Sequence, residues 1–217
     1  MFCVYVKVGF APVAQWIECL ASDQKAAGSN PAGRTMKEIE IKVRVDDLDA
    51  LEKKFEERGI KFGPAVTQFD RCFAEDIDSL GESQPGVKFF RLRCQNDEVI
   101  LTFKRTLHDT VSTEHELVIS DEAQAVAILG ELGFKEGVQV TKKRRKAKHN
   151  DIEICLDEVE GLGTFLELEK LSVEADSHRV QDELFAWANQ FGVSREDQVL
   201  IGYDIMAFRK NRAEKAG

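Results

Sequence analysis

In the run EIEIK, Glu38, Glu40 and Lys42 stand two apart with Ile39 and Ile41 between them, so an extended backbone puts two carboxylates and an ammonium on one face. Other segments repeat the arrangement. Arg91 and Arg93 share a face in FFRLR, Lys104 follows Thr102 in LTFK, and Glu114 shares a face with Glu116. Lys142 and Arg144 alternate in TKKRRK, Glu153 and Asp157 share a face, and Glu167 and Glu169 alternate with Leu166 and Leu168. Carboxylates from separate strands hold hard divalent cations such as Mg²⁺ or Mn²⁺. Arg forks and Lys ammonium groups hold phosphate oxygens. A triphosphate with its bound metal satisfies both sets at once.

For these faces to meet, the strands carrying them must form one curled sheet. Eight strand-like runs are predicted, at about 38–45, 67–73, 87–94, 98–105, 112–119, 138–146, 151–158 and 164–170. Three amphipathic helices are predicted beside them. The first, over 46–59, carries Leu48, Leu51 and Phe55, with Asp46 or Asp47 as cap and Gly59 as stop. The second, over 120–133, carries Val126, Leu129 and Leu132 between a Ser120 cap and Gly133, and the third, near 180–191, carries Leu184, Phe185, Ala188 and Phe191. Short connections at 95–97 and 148–151 suit antiparallel hairpins, whereas the acidic connection over 74–86 is expected as a disordered surface loop rather than a lid. The class is therefore α+β: an eight-stranded antiparallel β-barrel or tunnel with a charged interior and helices packed outside on its apolar faces. Such a lining is costly when dry, so it calls for water, metal and a charged ligand.

EIEIK at 38–42 matches the E-x-E-x-K signature of the CYTH superfamily, the triphosphate tunnel metalloenzymes, which includes class IV (CyaB-like) adenylate cyclases, thiamine triphosphatases and inorganic tripolyphosphatases. FFRLR at 89–93 is similar to the family's basic strand, and Lys104 follows at the family's spacing. TKKRRK at 141–146 resembles its K-x-R segment, and LDEVEGLGTFLELE at 156–169 its closing strands. The resemblance implies an eight-stranded tunnel. It also implies that Glu38, Glu40 and Glu167 bind a catalytic Mg²⁺ or Mn²⁺, with Glu169 and Glu116 as further ligands. Lys42, Arg91, Arg93, Lys104, Lys142 and Arg144 then grip the phosphates, and Asp157 binds a second metal or orients the nucleophile. The implied catalytic set is Glu38, Glu40, Lys42 and Asp157. The layout most resembles a cyclase that converts ATP to cyclic AMP and pyrophosphate. Two departures keep tripolyphosphate or thiamine triphosphate hydrolysis open: Ala32 and Gly33 replace the cyclases' His-Phe pair, and LTFKR replaces a frequent K-G-P. A non-catalytic nucleotide- or polyphosphate-binding module is the alternative from another class.

Composition narrows the partners. The 217 residues carry 30 Lys and Arg against 39 Asp and Glu, a net charge of −9, which argues against nucleic acid and anionic membranes as general partners. Alternation divides the basic run at 142–148, leaving Lys143 and Arg145 outside. Cys3, Cys19, Cys72, Cys94 and Cys155 are scattered without metal-ligand spacing and read as reduced thiols of a cytoplasmic protein, Cys94 and Cys155 acting as small apolar residues. The histidines form no motif, and a homodimer is compatible with the family. Residues 1–35 differ in composition from the rest, and the stretch from Ala14 to Thr35 resembles translated transfer-RNA gene sequence. They are expected to be a non-native or disordered extension, with the functional domain over 36–210 and a disordered tail over 211–217.

Overall fold

A computed structural model describes residues 37–82, 84–108, 111–173 and 176–217; the extension expected over 1–35 lies outside the described residues. Eight strands are present: β1 (Lys37–Arg44), β2 (Val66–Ala74), β3 (Lys88–Gln95), β4 (Glu98–His108), β5 (Val111–Ile119), β6 (Lys135–His149), β7 (Ile152–Val159) and β8 (Gly163–Ser172). They close into a barrel in the order β1-β5-β4-β3-β2-β6-β7-β8, with every neighbouring pair antiparallel. Each expected strand is found, and β6 extends beyond its predicted ends. The β3–β4 hairpin turns through Asn96 and Asp97, both at positive φ (46° and 63°), the pair of left-handed residues that a two-residue hairpin loop of matching twist requires.

Alternation sends the apolar faces of most strands outward, under the helices, while Leu117 of β5 stays exposed. Helices α1 (Leu48–Glu56) and α3 (Ser177–Ala188) cover Ile39, Ile41 and Val43 of β1, Ile154 and Leu156 of β7, and Leu166 and Leu168 of β8, all within one buried cluster. Leu51, Phe55, Leu184 and Phe185 supply the helical side, and Phe55 packs against Phe62, Trp187 and Phe191. Helix α2 (Glu122–Glu131) seats Leu129 over Phe73 and Leu92. The Asp47 carboxylate accepts from the Ala50 N–H at the start of α1, as expected, whereas α2 is capped by Asp121 and not Ser120: it is the Asp121 carboxylate that accepts from the Gln124 N–H. Both helices stop at a left-handed glycine, Gly59 and Gly133, after which Ile60 and Phe134 donate back to Phe55 and Leu129.

Two expectations are corrected at the C-terminal side. Residues 211–216, expected as a disordered tail, continue a fourth helix, α4 (Tyr203–Ala216). Its first turns bury Tyr203, Ala207 and Phe208 against Cys72, Phe89, Val140 and Phe165. The 74–86 connection, expected as a disordered surface loop, holds a 3₁₀ turn at Ile77–Gly81 whose Leu80 is buried in the same cluster, while Arg212 of α4 donates to Asp78. Apolar burial beneath α4 holds the Ile77–Gly81 turn in place.

Candidate active site

The inward faces of the strands line a cavity of about 180 Å³. Cross-strand register decides which charges meet inside it. Lys42 lies opposite Glu167 and Glu40 opposite Glu169 on the β1–β8 ladder, Asp70 lies opposite Arg93 on β2–β3, and Arg144 lies opposite Asp157 on β6–β7. Lys104 and Thr102 on β4 face Glu114 and Glu116 on β5.

At one end of the lumen cations clasp carboxylates. The Arg144 Nε donates to Asp157 Oδ1 at 2.6 Å, and its Nη2 bridges Asp157 and Glu167. Lys42 Nζ stands 3.1 Å from Glu167 and 3.4 Å from Glu40. Asp157 is fully buried, and its Oδ2 also accepts the Tyr203 hydroxyl at 3.0 Å. Arg93 forks onto Asp70 at 2.7 and 2.8 Å. Burial raises carboxyl pKa values, yet Lys42 and Arg144 outweigh it at Glu167 and hold that carboxyl well below its ordinary range. Asp70 is held low in the same way by Arg93.

Lys142 differs. Among the described residues it has no carboxylate within ion-pair distance, although it is buried. Burial, followed by repulsion from Arg144 and Arg93, pulls its ammonium down to about 7.

Toward the other end the balance reverses. Burial and then the neighbouring Glu114 and Glu169 push the Glu38 carboxyl well above the usual carboxylate range. Glu40 and Glu153 face the same lumen, Glu153 accepting from Lys146 at 2.7 Å. Glu114 accepts from Lys104 at 2.6 Å and from the Ser112 hydroxyl at 3.1 Å; burial opposes its ionisation, but Lys104 and Arg91 hold it down to about 2. Glu116 accepts from Arg91 at 3.2 Å and from Thr102 at 2.9 Å, and the buried Nε of Arg91 has no hydrogen-bond partner.

All the side chains predicted to line the tunnel face it except Asp157, which lies sealed behind Arg144 and Tyr203. Of the expected metal ligands, Glu38, Glu40 and Glu169 come together on β1 and β8. Glu167 is instead spanned by Lys42 and Arg144, and Glu116 by Arg91. Among the described residues, no three His, Cys, Asp or Glu side chains converge tightly enough to hold an ion. The donor set nonetheless fits a hard cation: it is all carboxylate, and the raised Glu38 carboxyl marks like charges that a cation would relieve. Asp70 and Tyr203 were not singled out from sequence, and Glu114 was named only as sharing a face with Glu116, without a role. Asp70 alternates with Gln68 and Cys72 on β2, while nothing in the sequence marked Tyr203. Cys72 and Cys155 are free thiols; Cys72 lines the lumen, and Cys155, between Glu153 and Asp157 on β7, is buried on its inward face and not in the outer core.

The family profile described as "CYTH domain" matches residues 36–203. A protein of Methanocaldococcus jannaschii named "Putative adenylate cyclase" is 31% identical over 175 residues, covering 77% of this chain and 97% of that protein. Among solved structures, the PH1819 protein of Pyrococcus horikoshii superposes with a TM-score of 0.67 at 28% identity, covering 80% of this chain and 99% of that one. An adenylyl cyclase-like protein of Hippeastrum, whose structure is described as revealing a dominant triphosphatase activity, shares the fold at 17% identity and a TM-score of 0.53, covering 82% of this chain and 96% of its own.

Proposed function

Since the chain belongs to the CYTH family, we propose that it is a metal-dependent enzyme acting on a triphosphate inside the barrel, with conversion of ATP to cyclic AMP and pyrophosphate as its reaction. One observation carries the reading. The same lumen holds Glu38, whose carboxyl is pushed up by burial and like charges, and Lys142, whose ammonium is pushed down by burial and like charges. A polyanion with its divalent cation relieves both at once. The name borne by the M. jannaschii relative supports the cyclase assignment.

In this reading Glu38, Glu40 and Glu169 hold Mg²⁺ or Mn²⁺, with Glu167 and Glu116 available as they exchange their cationic partners for it. When bound there, the metal would neutralise charge on the phosphate chain and supply Lewis acidity to the phosphoryl group. Lys42, Arg91, Arg93, Lys104, Lys142 and Arg144 take the phosphate oxygens, replacing the ion pairs that now span the lumen. Asp157 orients Arg144, since its oxygens are occupied by that guanidinium and by Tyr203. A cavity of about 180 Å³ is smaller than the roughly 300–1,000 Å³ of pockets that enclose a drug-sized ligand, so the phosphate chain enters while the nucleoside stays toward the mouth. Cyclisation joins the ribose 3′-oxygen to the α-phosphorus, breaks the bond to the bridging oxygen and releases pyrophosphate, the hydroxyl proton passing to solvent.

Hydrolysis of tripolyphosphate or thiamine triphosphate is the second reading, favoured by Ala32 and Gly33 standing where cyclases of this type carry His-Phe. Incubation with Mg²⁺ or Mn²⁺ and, separately, ATP, tripolyphosphate and thiamine triphosphate separates the readings. Cyclic AMP with pyrophosphate is expected. Free phosphate would transfer the assignment to the hydrolase, and tight binding without turnover would leave a binding module.

A further inference from the structure

The strands supply all but one of the charged groups that line the lumen, Asp204 on α4 being the exception, and α4 also supplies the ring that stands over two of the lysines. Tyr203 comes from the first turn of α4 and lies buried at the lumen. Lys42 Nζ stands 4.4 Å from the centre of its ring and Lys142 Nζ 5.0 Å from the same centre. The ring packs against Phe165 at 5.0 Å between centroids, and its hydroxyl donates to Asp157. The chain leading to it is fastened to Lys42 as well: the Val199 N–H donates to the Lys42 carbonyl at 2.8 Å, and Lys42 Nζ donates to the Ile201 carbonyl at 3.4 Å.

We propose that Tyr203 is a positioning residue for the phosphate grip, its ring holding the ammonium groups of Lys42 and Lys142 side by side for a polyphosphate. The inference rests on the triphosphate reading above. Two ammonium groups brought to one ring repel each other, and the negative face of the ring offsets that repulsion without adding a formal charge. A carboxylate in the same place would hold the lysines more strongly but would compete with the phosphate oxygens. A neutral ring adds no competitor of its own for either ammonium group. The assignment matters most for Lys142, which has no carboxylate at ion-pair distance among the described residues.

The test is the affinity of the full chain for inorganic tripolyphosphate, measured by calorimetry, with KM and kcat on the turned-over triphosphate beside it. Tyr203→Phe keeps the ring and is expected to bind within about threefold of wild type. Tyr203→Leu is expected to weaken binding about tenfold or more, as loss of a desolvated cation–π contact implies, and to raise KM more than it lowers kcat. Should the Leu variant fail to fold, phenylalanine with increasing ring fluorination at position 203 preserves shape while draining the ring's negative face. Affinity falling stepwise with fluorination supports the proposal, and a flat response overturns it. A Leu variant that folds and binds as tightly as Phe also overturns it, as does a Phe variant as weak as Leu, which would assign the effect to the hydroxyl. A wild-type chain that does not bind tripolyphosphate overturns the functional reading and this inference with it.

Discussion

Glu38 is a lumen carboxyl that burial and like charges push up and Lys142 a lumen ammonium that they pull down, and each predicts a measurable proton or metal linkage. The folded Glu38 carboxyl titrates above the roughly 4.3 of an unfolded glutamate, so the native state holds more protons across that interval and stability falls as pH rises through it. Glu38→Gln removes the repulsion. Without metal the variant is expected to melt higher than wild type at neutral pH, while the stabilisation that Mg²⁺ or Mn²⁺ gives the wild type disappears and turnover falls about 100-fold or more. A variant that melts lower, or that keeps its metal-dependent rise in Tm, contradicts the assignment. For Lys142 the sign is opposite. Its folded value of about 7 lies below the roughly 10.4 of an unfolded lysine, so the unfolded state holds the extra proton and stability rises with pH between the two. A bound polyanion restores the ammonium. At pH 8, tripolyphosphate binding without added metal should therefore take up close to one proton, read by calorimetry in buffers of different ionisation enthalpy, and Lys142→Met should lose that uptake. Unchanged uptake in the variant would place the proton elsewhere. At this scale sequence reading chose the correct faces but not the partners. Alternation puts Glu114, Glu116 and Glu167 inside, whereas cross-strand register sets Glu114 near Glu38 and Glu167 between Lys42 and Arg144.

Among the elements, the strands were legible because several of them set charged residues two apart, as at Glu38 to Lys42, Arg91 and Arg93, Lys142 and Arg144, and Glu167 and Glu169, and closure follows once the charged faces must meet. Helix α4 was not. Its apolar residues, Tyr203, Ile205, Ala207 and Phe208, crowd the first two turns, and KNRAEK follows with no apolar stripe to extend the period. The helix is nevertheless anchored by those two turns, and with it the ring of Tyr203. Phe208→Ala is expected to lower the free energy of unfolding by about 3 kcal/mol, within the range for buried aromatic truncations, as measured by urea titration. A loss below about 1 kcal/mol would mean that α4 does not belong to the cooperative core. Arg212→Ala, which removes an exposed pair with Asp78 and a long cation–π contact with Phe208, should change stability by less than about 1 kcal/mol.

For the whole molecule, a net charge of −9 hides a division between an acidic balance overall and a lumen in which seven cations, from Lys42 to Lys146, face nine carboxylates. That mixture suits a compact anion that arrives with its own divalent cation, and it makes turnover depend on metal and lumen together. The most direct measurement is ³¹P NMR of ATP incubated with the full chain and Mg²⁺, beside the Glu40→Ala variant and a metal-free control. The account predicts that pyrophosphate and cyclic AMP signals grow only in the wild-type sample with metal. ATP that stays intact there, with tripolyphosphate and thiamine triphosphate equally untouched, or turnover that persists in Glu40→Ala, would contradict it.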